Sequence, residues 1–125
     1  MQQAWDGGAF IKEFMHVWNA HDVDGIMRLM TDDCVFEPSF GPDPWGNRYI
    51  GAAAVRAGVE KNFRDIPDIR WDELRRFVCP DHAVVEWRTT GTPRGGKRFD
   101  VHGLDVLTLR DGKIAAKRSY RKSTL

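Results

Sequence analysis

Only two cysteines occur among the 125 residues, Cys34 and Cys79, and neither falls in a Cys-x-x-Cys or His-rich spacing. That excludes a disulfide framework and argues against a zinc site. Both read as reduced, buried thiols of a cytoplasmic protein. An excess of one charge is also missing: 19 Lys and Arg stand against 18 Asp and Glu, a net charge of +1. With basic residues spread through the chain, no nucleic-acid partner is expected. The longest basic cluster, Lys117-Arg118 to Arg121-Lys122, is short and reads as a solvated strand end. No segment approaches the roughly 20 apolar residues of a membrane span, so no membrane partner is expected. The opening MQQAWDGGAF lacks the basic and apolar regions of a signal peptide. His16, His21 and His82 show no ligand spacing. The GPDPWG segment lacks the strand-loop-helix setting and the lysine of a phosphate cradle. No metal or organic cofactor is expected. One domain over 1–125 is long enough to bury a core without staples.

What is present divides into two halves. FIKEFMHVWNAH places Phe10, Phe14, Val17 and Trp18 on one helical face. Asp22 N-caps a second short helix, DVDGIMRLMTDD, with Ile26, Leu29 and Met30 as its apolar side. CVFEPSF is a short strand, GPDPWGNRYIG an irregular loop leading to a brief strand, and AAAVRAGVEKNFRDI a third helix stopped by Pro67. Beyond Pro67 the period changes. IRWDELRRFVC, HAVVEWRTTGT, KRFDVHGLDVLTLR and KIAAKRSYRK read as four strands joined by turns. Helices first and an antiparallel meander afterwards predict an α+β domain with helices on one sheet face.

One residue breaks the pattern. In GLDVLTLRDGKIAAKRSY, Asp105 shares the apolar face of Val101, Leu107 and Leu109, because side chains alternate with period two. Its neighbour across the hairpin depends on the turn. A two-residue Asp111-Gly112 turn sets Asp105 opposite Arg118, whereas a three-residue Arg110-Asp111-Gly112 loop sets it opposite Lys117. Either way a cation lies near the carboxylate, which eases its desolvation. The opposite face of the same strand carries Leu104 and Val106. A sheet apolar on both sides is covered twice, by the helices and by a second copy, so a homodimer is expected.

Two stretches carry a resemblance. WNAHDVDGIMRLMTDDCVFEP resembles the helix-turn-helix-strand opening of SnoaL-like and ketosteroid-isomerase-like proteins, and GLDVLTLRDGKIAAKRSY resembles their closing hairpin. With the element order, the likeness covers nearly the whole chain. It implies the nuclear transport factor 2-like fold, a cone-shaped curved antiparallel sheet wrapped around three N-terminal helices with an apolar cavity. The resemblance specifies fold better than function, since unrelated activities share that cone. It aligns Asp105 with the carboxylic acid of ketosteroid isomerase, which an apolar site keeps protonated. The general-base position of that enzyme is Pro38 here and its tyrosine donor is Phe14, so steroid-type isomerisation is not implied. Gly103 stands where limonene-type epoxide hydrolases carry the arginine of their Arg-x-Asp pair. The likeness also turns Lys117 and Ser119 into the cone, which favours the three-residue loop and an Asp105–Lys117 pair.

Such a pair can act as acid/base and as stabiliser of developing negative charge, or it can be a buried ion pair that only fixes register. Glu86 and Arg88 share one face of their strand, which the resemblance turns inward; a solvated face is the other reading. Glu37 borders the vacated base position, turned inward by Pro38 or left as a rim carboxylate. Phe14, Trp18, Phe36 and Tyr49 supply apolar walls or ordinary core. Trp45, between Pro44 and Gly46, forms a lid over the cavity mouth. His102 has the opposite parity to Asp105. The expected function is a cofactor-free isomerase, cyclase or lyase acting on a small hydrophobic carbonyl- or ring-containing molecule. The alternative is a non-catalytic ligand-binding dimer. If side chains fill the cavity the enzyme reading fails, and a closed cavity without room for a ligand favours a third reading, an accessory association domain.

Overall fold

A computed structural model describes residues 5–123 of the chain. Helix α1 (Gly7–Asn19) starts at Asp6, whose carboxylate accepts from the Ala9 amide at 3.0 Å and satisfies one of the unpaired donors of the first turn. Its buried face is Ile11, Phe14, Val17 and Trp18. Asp22 caps α2 (Val23–Arg28) in the same way through the Gly25 amide. That helix is shorter than the apolar spacing predicts. It ends at Arg28, and Met30 already belongs to strand β1 (Met30–Glu37). The brief β2 (Tyr49–Ile50) follows, and α3 (Ala52–Asp65) ends just before Pro67.

Four long strands complete the chain: β3 (Arg70–Val78), β4 (His82–Gly91), β5 (Phe99–Arg110) and β6 (Lys113–Arg121). They form one curved, unclosed sheet in the order β2-β1-β6-β5-β4-β3. Every neighbouring pair is antiparallel except β1 with β6, so the sheet is mixed where a purely antiparallel one was expected. The helices cover its inner face.

The WNAHD segment earns its place here. Asn19 replaces a strand neighbour for β3, its side chain donating to the Trp71 carbonyl at 2.9 Å and accepting from the Trp71 amide at 2.8 Å. His21 takes a left-handed turn (φ 54°), stacks on Phe63 at 4.1 Å and donates through Nε2 to the Ile69 carbonyl at 2.7 Å. Together these bonds moor the α1–α2 corner to the start of the meander.

The closing hairpin follows neither expected register alone. Asp111 and Gly112 both have positive φ (52° and 75°), which makes a two-residue turn with Arg110 opposite Lys113. Leu109 then faces Ile114 while Thr108 faces Ala116, leaving Ala115 opposite nothing. This β-bulge shifts the remaining ladder by one residue. Asp105 therefore faces Ser119, not Lys117 or Arg118, and Leu107 faces Lys117. The bulge also lets Ile114 and Lys117 both point inward although they are three apart. Of the two thiols, Cys34 is buried as expected, whereas Cys79 is exposed just beyond β3. Among the described residues no helix is long and apolar enough to cross a membrane.

Candidate functional site

Three strands converge on the Asp105 carboxylate. β5 carries it inward beside Leu107, because period-two alternation puts residues 105, 107 and 109 on the core face. Across β6, Ser119 Oγ donates to Asp105 Oδ1 at 2.6 Å, and Lys117 Nζ reaches the same oxygen diagonally at 3.2 Å. From β4, Trp87 Nε1 donates to Asp105 Oδ2 at 3.0 Å. Lys117 also donates to Ser119 Oγ at 2.8 Å, so the three polar side chains of β5 and β6 form a closed triangle. Asp105 is 3% exposed and Lys117 5%, which makes this a fully desolvated ion pair. Two aromatic faces complete the lysine's surroundings, Trp18 at 4.2 Å and Phe36 at 4.8 Å from Nζ. Burial pulls the Lys117 pKa down, and the Asp105 carboxylate opposes that shift in part.

Gly103 explains how Trp87 reaches the carboxylate. The two residues pair across β4 and β5, and a Cβ on Gly103 would lie 2.6 Å from the indole and 2.4 Å from the Tyr120 carbonyl. Only glycine leaves room for the ring to lie over the strand.

The interior of the cone is largely filled. Trp18 makes tilted or edge contacts with Phe14, Phe36, Phe63 and Trp71. What remains is a cavity of about 30 Å³, lined among others by Phe36, Asn62, Trp87, Lys117, Ser119 and Arg121. Such a volume holds a water or one small polar group. Beside it opens a cleft of about 380 Å³ between the Trp45 loop and the end of β6, lined by Glu37, Trp45, Arg118, Tyr120 and others. Cavity and cleft share Pro38, Ser39, Ser119 and Arg121, so they form two parts of one site.

Several expected site residues lie elsewhere. Glu86 and Arg88 are on the outer face, because Val85, Trp87 and Thr89 take the inner positions of β4; Glu86 pairs with Arg75 and Arg88 with Asp100. Glu37 is buried but has the opposite parity to Phe36. It lies under the loop between Arg48 (2.6 Å) and Arg118 (3.6 Å), in the cleft and not beside Asp105. Phe14 is core that lines neither space, and Tyr49 packs behind Phe36 against Gly58. Trp45 does border the cleft, half-exposed, with the Arg48 guanidinium 4.3 Å above its ring. The basic run 117–122 is no uniformly solvated end, since Lys117 is buried and Arg118 and Arg121 line the cleft.

Trp87, Asn62 and Arg121 were not anticipated. Trp87 was legible as the large apolar member of the Val85-Trp87-Thr89 face. Asn62 gives no signal in sequence, being one polar residue of an amphipathic helix.

Comparison with known proteins agrees with this architecture. A protein from Mesorhizobium loti described as nuclear transport factor 2-like and of unknown function is 26% identical, over 94% of this chain and 91% of that one, with a TM-score of 0.73. A candidate SnoaL-like polyketide cyclase from Jannaschia sp. CCS1 is 17% identical over 98% and 91% of the two chains, with a TM-score of 0.77. A Catenulispora acidiphila protein of ketosteroid isomerase-like fold, solved with trimethylamine, is 14% identical over 96% and 88%, also at 0.77. The last two establish likeness of fold alone. No curated protein matches. The SnoaL-like domain family matches residues 11–117, nearly the entire fold just described, and the chain belongs to that family.

Proposed function

We propose that the protein is a cofactor-free acid–base enzyme of the isomerase, cyclase or lyase type, acting on a small carbonyl- or ring-containing molecule. One observation carries the reading: Ser119 and Lys117 line the cavity, and the buried Asp105 carboxylate backs both of them. The cavity is too small for a ring, so the bulk of the substrate lies in the cleft beside Trp45 and only its carbonyl enters. Ser119 Oγ accepts a proton from the adjacent carbon as its own proton passes to Asp105 Oδ1, 2.6 Å away. The C–H electron pair forms the new carbon–carbon double bond, the carbonyl π pair moves onto oxygen, and Lys117 stabilises the resulting enolate. Returning the proton to a different atom completes an isomerisation. Ser119 and Lys117 touch the substrate; Asp105 acts through Ser119. Burial lowers the Lys117 pKa, which makes its ammonium a stronger hydrogen-bond donor toward the enolate oxygen.

Exchange of the α-protons of 2-tetralone in D₂O, followed by proton NMR, tests this step. The wild type is expected to accelerate exchange, and Ser119→Ala or Asp105→Asn to lose about 10²-fold or more of that acceleration. Exchange at the buffer rate, or an undiminished rate in Ser119→Ala, refutes the step. A protein that binds the ketone without exchanging its protons supports the non-catalytic binding dimer instead.

The second copy belongs to the same proposal. On the face of the sheet away from the helices, Phe77, Val84 and Val106 form a cross-strand row, with Leu104 beside Tyr120. Phe77 and Tyr120 are exposed in the single chain. Burying this face against a twin is expected to give one dimeric species in sedimentation at micromolar concentration. A monomer there refutes the dimer.

A further inference from the structure

The junction of cavity and cleft holds a cation that no carboxylate of the described residues neutralises. Arg121 is half-buried, stacked 4.2 Å from the Phe99 ring, and borders both spaces. No carboxylate among the described residues pairs with it, although Arg48 and Arg118 beside the same cleft share Glu37. Guanidinium stays charged throughout the accessible pH range, so its charge is a standing feature of the junction. A second polar group faces the same space. Asn62 is 9% exposed, lines the cavity, and its side-chain amide has no hydrogen-bond partner among the described residues. Its amide atoms open onto that space, since no side-chain nitrogen or oxygen buried among the described residues lacks a partner. With Arg118 and Arg121 against Glu37 alone, the charge of the cleft lining favours an anion.

We propose that the junction is a carboxylate subsite, and that the substrate is a small organic acid whose carboxylate binds Arg121, with Asn62 as neighbouring donor. Arg121 offers a planar fork of donors that matches a carboxylate in two parallel bonds. Ser119 lies two residues before Arg121 on the same strand and lines the same cavity. A ligand anchored at Arg121 therefore presents its carbonyl to Ser119 and Lys117, so the anchor sets which end of the molecule reacts. The subsite rests on the reading of cavity and cleft as the substrate site, but it makes a claim about binding alone.

The test compares 2-naphthoate with 2-naphthamide, which have the same ring and differ in charge, by NMR titration of the wild type, Arg121→Gln and Arg121→Lys. The naphthoate is expected to bind wild type about ten- to hundredfold more tightly than the amide, as for a charge-assisted hydrogen bond. Arg121→Gln is expected to remove that preference, Arg121→Lys to retain part of it, and the wild-type Arg121 Nε signal to shift only with naphthoate. Equal affinity for acid and amide overturns the subsite, as does failure of both to bind, or an intact preference in Arg121→Gln. The wild-type preference alone decides the matter if a variant folds poorly. A protein that prefers naphthoate yet fails to exchange 2-tetralone keeps the subsite and loses the proposed proton transfer; the reverse pair of results does the opposite.

Discussion

Asp105 and Glu37 are the two buried carboxylates of the described residues, and their surroundings differ in kind. All the partners of Asp105 come from sheet strands: Trp87 from β4, and Lys117 and Ser119 from β6. Its cation is sealed, with aromatic rings on two sides. Glu37 instead binds Arg118 from β6 and Arg48 from the loop, and those guanidinium side chains are 38% and 40% exposed. Equal burial of the acid thus hides unequal burial of the base. A sealed cation cannot return to water when its partner is lost, whereas an exposed one can. The first arrangement is a sealed polar core, the second a solvent-accessible link between loop and sheet.

The largest expected effect follows at Asp105. Removing one member of a buried pair leaves a charge desolvated and alone, at a cost of about 3–5 kcal/mol, while replacing both with apolar groups is often close to neutral. Asp105→Asn is expected to destabilise by that amount in urea melts, and Asp105→Leu with Lys117→Met to recover most of the loss. Additive losses across the cycle would mean that the two side chains do not interact, and the contrast with Glu37 would collapse. If the pair also serves chemistry, the double variant folds well and loses proton exchange.

A smaller effect is expected at Gly103. Its Cβ position is occupied by the Trp87 ring and the Tyr120 carbonyl, so Gly103→Ala must displace the indole, the backbone, or both. Overpacking of this kind costs about 1–3 kcal/mol. Since Trp87 Nε1 donates to Asp105, the variant should also change the indole N–H resonance and the tryptophan fluorescence. A stable protein with an unmoved Trp87 N–H signal would show that the glycine is not what admits the ring.

The two carboxylates were unequally legible, for a physical reason. Period-two alternation on β5 was enough to mark Asp105 as a charge on a core face, and helix caps at Asp22 and the stop at Pro67 were equally local. Lys117 was found with the correct facing but through an incorrect register. The expected loop and the observed turn plus bulge both leave residues 117 and 119 inward, and they differ by two positions in what stands opposite Asp105. A bulge is decided by how Leu109 and Ile114 pack against the core, which no local pattern records. Glu86 and Arg88 went astray by one residue of parity, although the apolar Val85 and Trp87 already marked the inner face. Glu37 and Arg121 depend on where a loop and a strand end lie in space, and Arg48 reaches Glu37 from eleven residues away. The filling of the cone was illegible for the same reason, since Phe14, Trp18 and Phe36 read alike as wall and as core.

The smallest expected effect belongs to the exposed side of the comparison. Arg48 holds Glu37 at 2.6 Å, but its guanidinium is partly in water and a second cation, Arg118, stands 3.6 Å from the same carboxylate. Losing one of two partners leaves Glu37 neutralised, and exposed pairs contribute about 0.2–1 kcal/mol. Arg48→Ala is therefore expected to lower stability by no more than about 1 kcal/mol. Its other consequence is local, because the same guanidinium covers the Trp45 ring at 4.3 Å and so fixes the loop that walls the cleft. The Trp45 side chain should gain mobility on the nanosecond scale, read as lower fluorescence anisotropy in a variant whose other four tryptophans are replaced by phenylalanine. Weaker binding of 2-naphthoate should accompany it, with the preference over 2-naphthamide preserved, since Arg121 is untouched. A loss of several kcal/mol from Arg48→Ala would place the loop pair in the same class as Asp105–Lys117, and access of the cation to water would no longer separate the two carboxylates.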